Sequence, residues 1–313
     1  MMVATPNTYE SALKALVDAG VAIRLRKDFP LAGGPASYGE LDILLQPGEI
    51  TRADAAMKSA GFHHLVAPQA PDHRFYLCYQ ADRWLKVDAK LAGHRRSSFS
   101  RYRPAGLRRL GPVVAILGPD GVGKSAIISR LVEEIPVGAT VAYLGWIPRR
   151  KRGVRPVAPA SPDSAERIEA SGSISPLREC AFVVLHALRF LPRLARVYLS
   201  AWRGYIVICD RHPVELLAIR PRQTASAAAL ERLIWRRLIP WPDAIVLLDA
   251  PAAVLSRRKD EHPPHVLEGW RRAYHDVFGS AASAVISTTD PVETSVRLVA
   301  AAAWEELKRR RRW

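Results

Sequence analysis

The chain has 313 residues, a formal net charge of +16, 49% hydrophobic residues and 24% charged residues. That composition excludes wholesale disorder, and the length suits two average domains, each able to bury a core. The excess positive charge points to an anionic partner without choosing among nucleotide, nucleic acid, lipid or acidic metabolite.

Taken in chain order, residues 1–93 predict a small α/β domain. A helix is expected from Tyr9 to Ala19, strands at Val21–Leu25 and Leu41–Leu45, and a second helix over Arg52–Ala60 stopped by Gly61. Arg74–Tyr79 and Trp84–Asp88 read as a strand pair around Gln80–Asp82. Residues 94–111 are a basic linker, rich in Arg with Ser, Pro and Gly and without an acid. From Pro112 to the end, strand and helix patterns alternate. Strands are expected at Val113–Leu117, Ala139–Leu144, Tyr205–Cys209, Ala244–Leu248 and Ala284–Ile286, and helices at Ala126–Glu134, Pro176–Arg203 and Pro291–Lys308. Continuous apolar strands alternating with helices imply a parallel sheet covered on both faces. Residues 148–175, rich in Pro, Ser and Arg, read as a mobile surface segment.

The start of the chain has no basic segment followed by an apolar run, so no signal peptide is expected. Cys78, Cys180 and Cys209 have no metal-like spacing and fit a reducing, cytoplasmic compartment. The most apolar stretch, Ala181–Ala201, is interrupted by Arg189, Pro192, Arg193 and Arg196. That argues against a membrane span and for an amphipathic, mostly buried helix.

The chemistry begins at Gly118-Pro-Asp-Gly-Val-Gly-Lys-Ser125, a match to G-x-x-x-x-G-K-[ST] between an expected strand and an expected helix. Glycines let the backbone curl so that the N–H groups around Gly118, Asp120, Gly121, Val122 and Gly123 form a nest for phosphate oxygens. Lys124 supplies a point charge for the β- and γ-phosphates, and Ser125 a hard oxygen for Mg²⁺. Two later strands run into carboxylates, Asp210 and Asp249. Ligands of an open parallel sheet bind beyond the strands' carboxyl ends, so both are candidates for the same edge and for Mg²⁺. Asp210 is followed by Arg211 and His212, and Arg257-Arg258-Lys259-Asp260-Glu261 opens a polar stretch reaching Tyr274 that suits a closing lid.

These residues, GPDGVGKS at 118–125, CDRH at 209–212, PDAIVLLD at 242–249 and RRKDE followed by Tyr274, resemble the thymidylate kinase-like branch of P-loop kinases over 112–313. The resemblance implies a P-loop NTPase-type parallel sheet and an ATP- and Mg²⁺-dependent phosphotransferase. Lys124 and Ser125 would take the ATP phosphates and Mg²⁺, and Asp120 would face the acceptor. Asp210 and Arg211 would stand at the acceptor, and Arg257 and Arg258 in the lid. The family's acceptor signature after the Asp-Arg pair is absent: the text is HPVELLAIRPRQ, and His212 stands where an aromatic Tyr is usual. The acceptor half of the site is therefore expected to be rebuilt, which puts thymidylate in doubt and leaves a small-molecule acceptor, a nucleotide or a sugar-containing metabolite. Earlier in the chain, Glu40-Leu-Asp42 and Lys86-Val-Asp88 resemble a minimal nucleotidyltransferase domain, in which an acidic pair and a third carboxylate hold Mg²⁺. The adjacent His63 and His64 have no partner at ligand spacing and are assigned no metal.

The charge has an address. The linker carries six arginines, residues 149–155 carry five bases, and Lys308 to Arg312 carry five more, which together equal the whole excess. Such strips fit peripheral contact with an anionic membrane surface or an acidic partner. Nucleic acid is disfavoured because the strips lack interleaved aromatics. Two further readings stay open: an ATP-binding module without turnover, and nucleotidyl transfer by the first domain. A homodimer is also open.

Overall fold

Two five-stranded sheets organise the protein, whose computed structural model describes residues 9–26, 40–66, 70, 72–93, 111–145, 175–219 and 222–310. Residues 94–110 of the linker and 148–174 of the Pro-, Ser- and Arg-rich segment lie outside the described residues.

The first sheet comprises β1 (Ile23–Leu25), β2 (Leu41–Leu45), β3 (His63–Val66), β4 (His73–Gln80) and β5 (Arg83–Leu91), in the order β1-β2-β5-β4-β3. The β2–β5 pair is parallel and the others are antiparallel, so the sheet is mixed. Period-2 alternation sorts its faces. Leu41, Ile43, Leu45, Tyr76, Cys78, Val87 and Ala89 pack against helices α1 (Tyr9–Asp18) and α2 (Ile50–Ser59). Asp42 and Asp88, paired in register, therefore fall on the opposite face. The expected β4–β5 hairpin forms, with both turn residues, Ala81 and Asp82, at positive φ (48° and 58°). A two-residue loop of that kind matches the strands' right-handed twist. The strand β3 is an addition to the sequence reading, because HHLV is too short to show a period.

The second sheet comprises β6 (Val113–Leu117), β7 (Ala139–Tyr143), β8 (Ile206–Asp210), β9 (Ala244–Asp249) and β10 (Ala284–Ser287), all parallel, in the order β10-β9-β6-β8-β7. Both faces are covered, which is why β6 is apolar throughout and β9 is apolar up to Asp249. On one face Ala115, Leu117, Cys209 and Leu247 meet α4 (Pro176–Trp202), α6 (Ala225–Leu233) and α8 (Pro264–Phe278). On the other, Ile116, Ile208, Val246 and Leu248 meet α3 (Lys124–Glu134), α7 (Ala252–Arg258) and α9 (Val292–Arg310). A four-residue helix, α5 (Leu216–Ile219), follows β8.

Helices α4 to α8 depart from the sequence reading. Helix α6 starts at Thr224, whose Oγ1 accepts from the Ala227 amide at 3.4 Å, while buried Glu179 of α4 accepts from the Gln223 and Thr224 amides at 2.8 and 2.9 Å. The polar stretch after Arg257 is the end of α7 followed by α8, which starts on Pro263 and Pro264 and buries Leu267, Tyr274 and Phe278. The expectation of a mostly buried α4 is corrected: the helix is amphipathic, but a second apolar face stays exposed, including Leu177 (83%), Leu185 (67%) and Leu188 (54%).

The two sheets meet through β3, β4 and α9. Leu65, Leu77 and Tyr79 join the second core, and Trp304 packs edge-on against His63 and Trp84 with centroids 5.5 Å apart in each pair. Among the described residues, no helix is long and apolar enough to cross a membrane.

Candidate functional site

Strand β6 is the centre of the second sheet, with β8 on one side and β9 on the other. The chain leaves β6 toward β7 and β8 and later crosses to β9 and β10. A crevice therefore opens beyond the carboxyl ends of β6, β8 and β9. Gly118 to Ser125 occupies that point.

The loop's shape depends on three glycines at positive φ: Gly118 (144°), Gly121 (82°) and Gly123 (94°). A Cβ on Gly118 would come within 2.4 Å of the Leu248 carbonyl oxygen, whereas one on Gly123 meets nothing within 4 Å. Gly118→Ala is therefore expected to destabilise the protein by on the order of 3 kcal/mol, and Gly123→Ala by about 1 kcal/mol. Urea unfolding of the two variants checks this, and equal losses contradict it.

Gly123 caps α3, whose first N–H groups have no partner within the helix and carry its positive dipole end. Val122 anchors the loop in the core. Lys124 folds back into the turn, and its Nζ donates to the Gly118 and Pro119 carbonyls at 2.7 and 2.8 Å. Burial, reinforced by Arg211, pushes its ammonium down to about 8. Ser125 Oγ donates to Asp210 Oδ2 at 3.2 Å, so a hydroxyl and a carboxylate converge at the end of β8. Two hard oxygens placed together in this way fit a magnesium ion.

Arg211 is held at φ 67°, a conformation costly for a residue with a side chain. The strain aims its guanidinium back at the loop, where it pairs with Asp120 and, at 3.3 Å, with Glu215. Burial works to raise Asp120, but Arg211, Lys124 and Lys259 outweigh it and hold the carboxyl below its usual range. Glu215 is only 3% exposed, and burial pushes it up to about 6 against Arg211 and Lys124. The buried Tyr274 hydroxyl faces the same carboxylate. Gly145 completes this corner: a Cβ there would strike the Tyr143 hydroxyl and Arg211 Cδ.

His212, 1% exposed, caps the next turn by accepting from the Val214 amide at 3.4 Å, and burial lowers it to about 3. His212 and Glu215 titrate with opposite signs. The neutral imidazole stabilises the fold above the unfolded value near 6.5, and that contribution drains away as pH falls toward 3. The raised carboxyl contributes stability that is full below about 4.5 and is lost as pH rises through about 6. Between pH 6 and 4.5, relative to the parent chain, Glu215→Gln is expected to lose about 1.4 kcal/mol per pH unit and His212→Asn to gain as much. Thermal unfolding against pH reads the two slopes, and slopes of the same sign contradict the assignment.

The remaining predicted residues are placed as follows. Both Asp249 oxygens accept from Arg271, at 2.7 and 2.8 Å, with His275 at 3.3 Å from one of them. This holds the carboxyl below its usual range although burial opposes the shift. As folded, Asp249 is thus paired with two side chains of α8. Arg258 donates to the Thr288 hydroxyl and carbonyl at 3.1 and 2.6 Å, tying α7 to the end of β10, while Arg257 is exposed. Asp120, Glu261 and His262 bring ligand atoms within 4.8 Å of one another beside the loop. The sequence reading missed Glu215, Arg271 and His275. Only the α8 residues had a signal, the i, i+3, i+4 spacing of Arg271, Tyr274 and His275 behind a Pro-Pro start.

In the first sheet, Glu40, Asp42 and Asp88 converge, with oxygens within 4.8 Å of one another. Two of these carboxylates already have cationic or polar partners: Lys86 Nζ lies 2.9 Å from Glu40, and His73 Nδ1 lies 2.5 Å from Asp88.

Compared with known proteins, the chain matches no protein-family model, and no curated protein matches it significantly.

Proposed function

We propose that the chain is an ATP- and Mg²⁺-dependent phosphotransferase with a P-loop kinase-type second domain, acting on a small-molecule acceptor. The observation that carries this reading is the convergence of Lys124, Ser125 and Asp210 at the switch point of a parallel sheet. Numbered from β6, the strand order is 5-4-1-3-2, which differs from both the dinucleotide-binding and the flavodoxin-like orders. A nicotinamide or flavin reading therefore has no support.

In this reading the loop amides and Lys124 bind the β- and γ-phosphates, and Lys124 exchanges its carbonyl partners for phosphate oxygens. Ser125 and Asp210 would hold magnesium, which when bound supplies charge neutralisation on the transferred group. Arg211, locked between Asp120 and Glu215, positions the acceptor side of the crevice. Catalysis is then mostly positioning and electrostatics in a preorganised site.

The test is a panel of nucleoside monophosphates, sugars and lipid-linked sugars incubated with γ-labelled ATP. Transfer to one of them, lost in Asp210→Asn, is the expected result. Nucleotide binding with transfer to none would favour the ATP-binding module without turnover. A second reading, nucleotidyl transfer by the first domain, draws on the convergence of Glu40, Asp42 and Asp88. It predicts transfer of a nucleotidyl group that is lost in Asp42→Asn and kept in Lys124→Ala.

A further inference from the structure

The exposed face of α4 has no counterpart in the nucleotide chemistry. Leu177, Ala181, Leu185, Leu188, Pro192, Ala195, Leu199 and Trp202 follow one another at intervals of three and four, and all are exposed. That spacing keeps one stripe in line for the whole 27-residue helix, about 40 Å. A contiguous apolar surface of several hundred Å² is the size at which exposed patches mark interaction sites.

The charges beside the stripe select the partner. Arg178, Arg196 and Arg203 are exposed and project 80–100° from Leu177 around the helix, along one flank of the stripe. The neighbouring α6 and the turn that continues it repeat the composition, with exposed Leu233 and Leu238 among exposed Arg232, Arg236 and Arg237. From residue 175 to 209 and from 222 to 242 the acids are Glu179 and Glu231 alone. Both are buried, Glu179 on the amides at the start of α6 and Glu231 on Arg222 at 2.5 Å. Among the described residues, these two segments therefore present leucines and arginines with no exposed carboxylate.

We propose that this face docks α4 in the plane of an anionic phospholipid surface. The leucine stripe enters the headgroup–acyl boundary, and the flanking arginines meet lipid phosphates. A second copy of the chain is a poorer occupant, because it would set two rows of arginine together with no acid to pair them. A nucleic acid would leave the leucines unserved. None of its residues belongs to the basic linker, the 149–155 run or the C-terminal tail.

The experiment is flotation of the full chain with phosphatidylcholine vesicles, with and without phosphatidylglycerol. The parent chain is expected to float with the phosphatidylglycerol vesicles. Arg178→Gln/Arg196→Gln/Arg203→Gln should lower its partition coefficient on the order of a hundredfold, and Leu185→Gln/Leu188→Gln by about tenfold or more. All five positions are exposed, so unfolding temperatures should stay near the parent value, which separates lost docking from lost folding. Flotation equal in the parent and both variants overturns the proposal. So does a dimer, seen by light scattering without lipid, that Leu185→Gln/Leu188→Gln dissociates, because the face then belongs to a second copy. Retention by an acidic polypeptide in a chain that floats with neither vesicle overturns it as well.

Discussion

Replacing Lys124 with alanine is expected to reduce phosphoryl transfer by on the order of a thousandfold, the scale seen when one preorganised donor to a developing charge is removed. The fold should survive. The two carbonyls lose Nζ, but the ammonium's own burial cost disappears with it. The same residue predicts a pH limb. With Lys124 near 8, a growing fraction is neutral above that pH. An arriving triphosphate favours the charged form, so ATP affinity should weaken as pH rises through about 8 and be regained on return to 7. A Lys124→Ala variant that keeps full transfer, or an ATP affinity flat across that range, contradicts the role given to this side chain.

Replacing Arg211 with alanine should be the most damaging change to stability at the site, costing about 3–5 kcal/mol. The loss is less that of an attraction than of the only cation bonded, among the described residues, to Glu215, a carboxylate 3% exposed. Alanine also relieves none of the strain at φ 67°. The sign of the pH effect follows. Without Arg211 the Glu215 carboxyl rises further above its unfolded value, so the folded variant binds a proton more readily than the unfolded chain. Its deficit should therefore shrink as pH is lowered toward about 6, where the parent's own carboxyl takes up its proton, and level off below that. Urea unfolding at neutral and mildly acid pH reads this, and Arg211→Ala/Glu215→Gln should recover most of the loss at neutral pH. A deficit that is constant with pH, or a double variant as weak as the single, would assign the cost to something other than the stranded carboxylate.

The sequence carried the fold where local pattern and tertiary environment agree. Strands β6, β8 and β9 are apolar up to the aspartates that end the last two because both their faces are covered, and their bounds differ from expectation by one residue at most. The hairpin at Ala81 and Asp82 was marked by the break in alternation, although neither residue is glycine. The reading was weakest where tertiary contacts overrule composition. Helix α8 hides in a stretch that is polar to the eye, because its buried residues are single side chains a turn or two apart. The outer stripe of α4 cannot be told from its inner one by hydrophobicity, since both are apolar, and only the packing of Val183, Phe190, Leu194 and Val197 shows which is core.

The site divides in the same way. The turn 118–125 is legible because its chemistry is local, resting on glycines, one lysine and one serine in a fixed order. The pairing of Ser125 with Asp210 follows from sheet topology, since each ends or follows a strand at one edge. Glu215 is the counterexample. Nothing in PVELL distinguishes a buried carboxylate from a solvated one, and its role appears only when the strained Arg211 turns toward it. Asp249 shows the opposite failure: it lies at the edge predicted for it, but α8 supplies Arg271 and His275 to occupy it.

The central claim is that the turn holding Lys124 binds the triphosphate. Calorimetric titration of Mg·ATP into the full chain, the Lys124→Ala variant and the Asp42→Asn variant tests it most directly. One site per chain is expected, lost in Lys124→Ala and unchanged in Asp42→Asn. Binding that survives Lys124→Ala and disappears in Asp42→Asn would contradict it and move the nucleotide to the first domain.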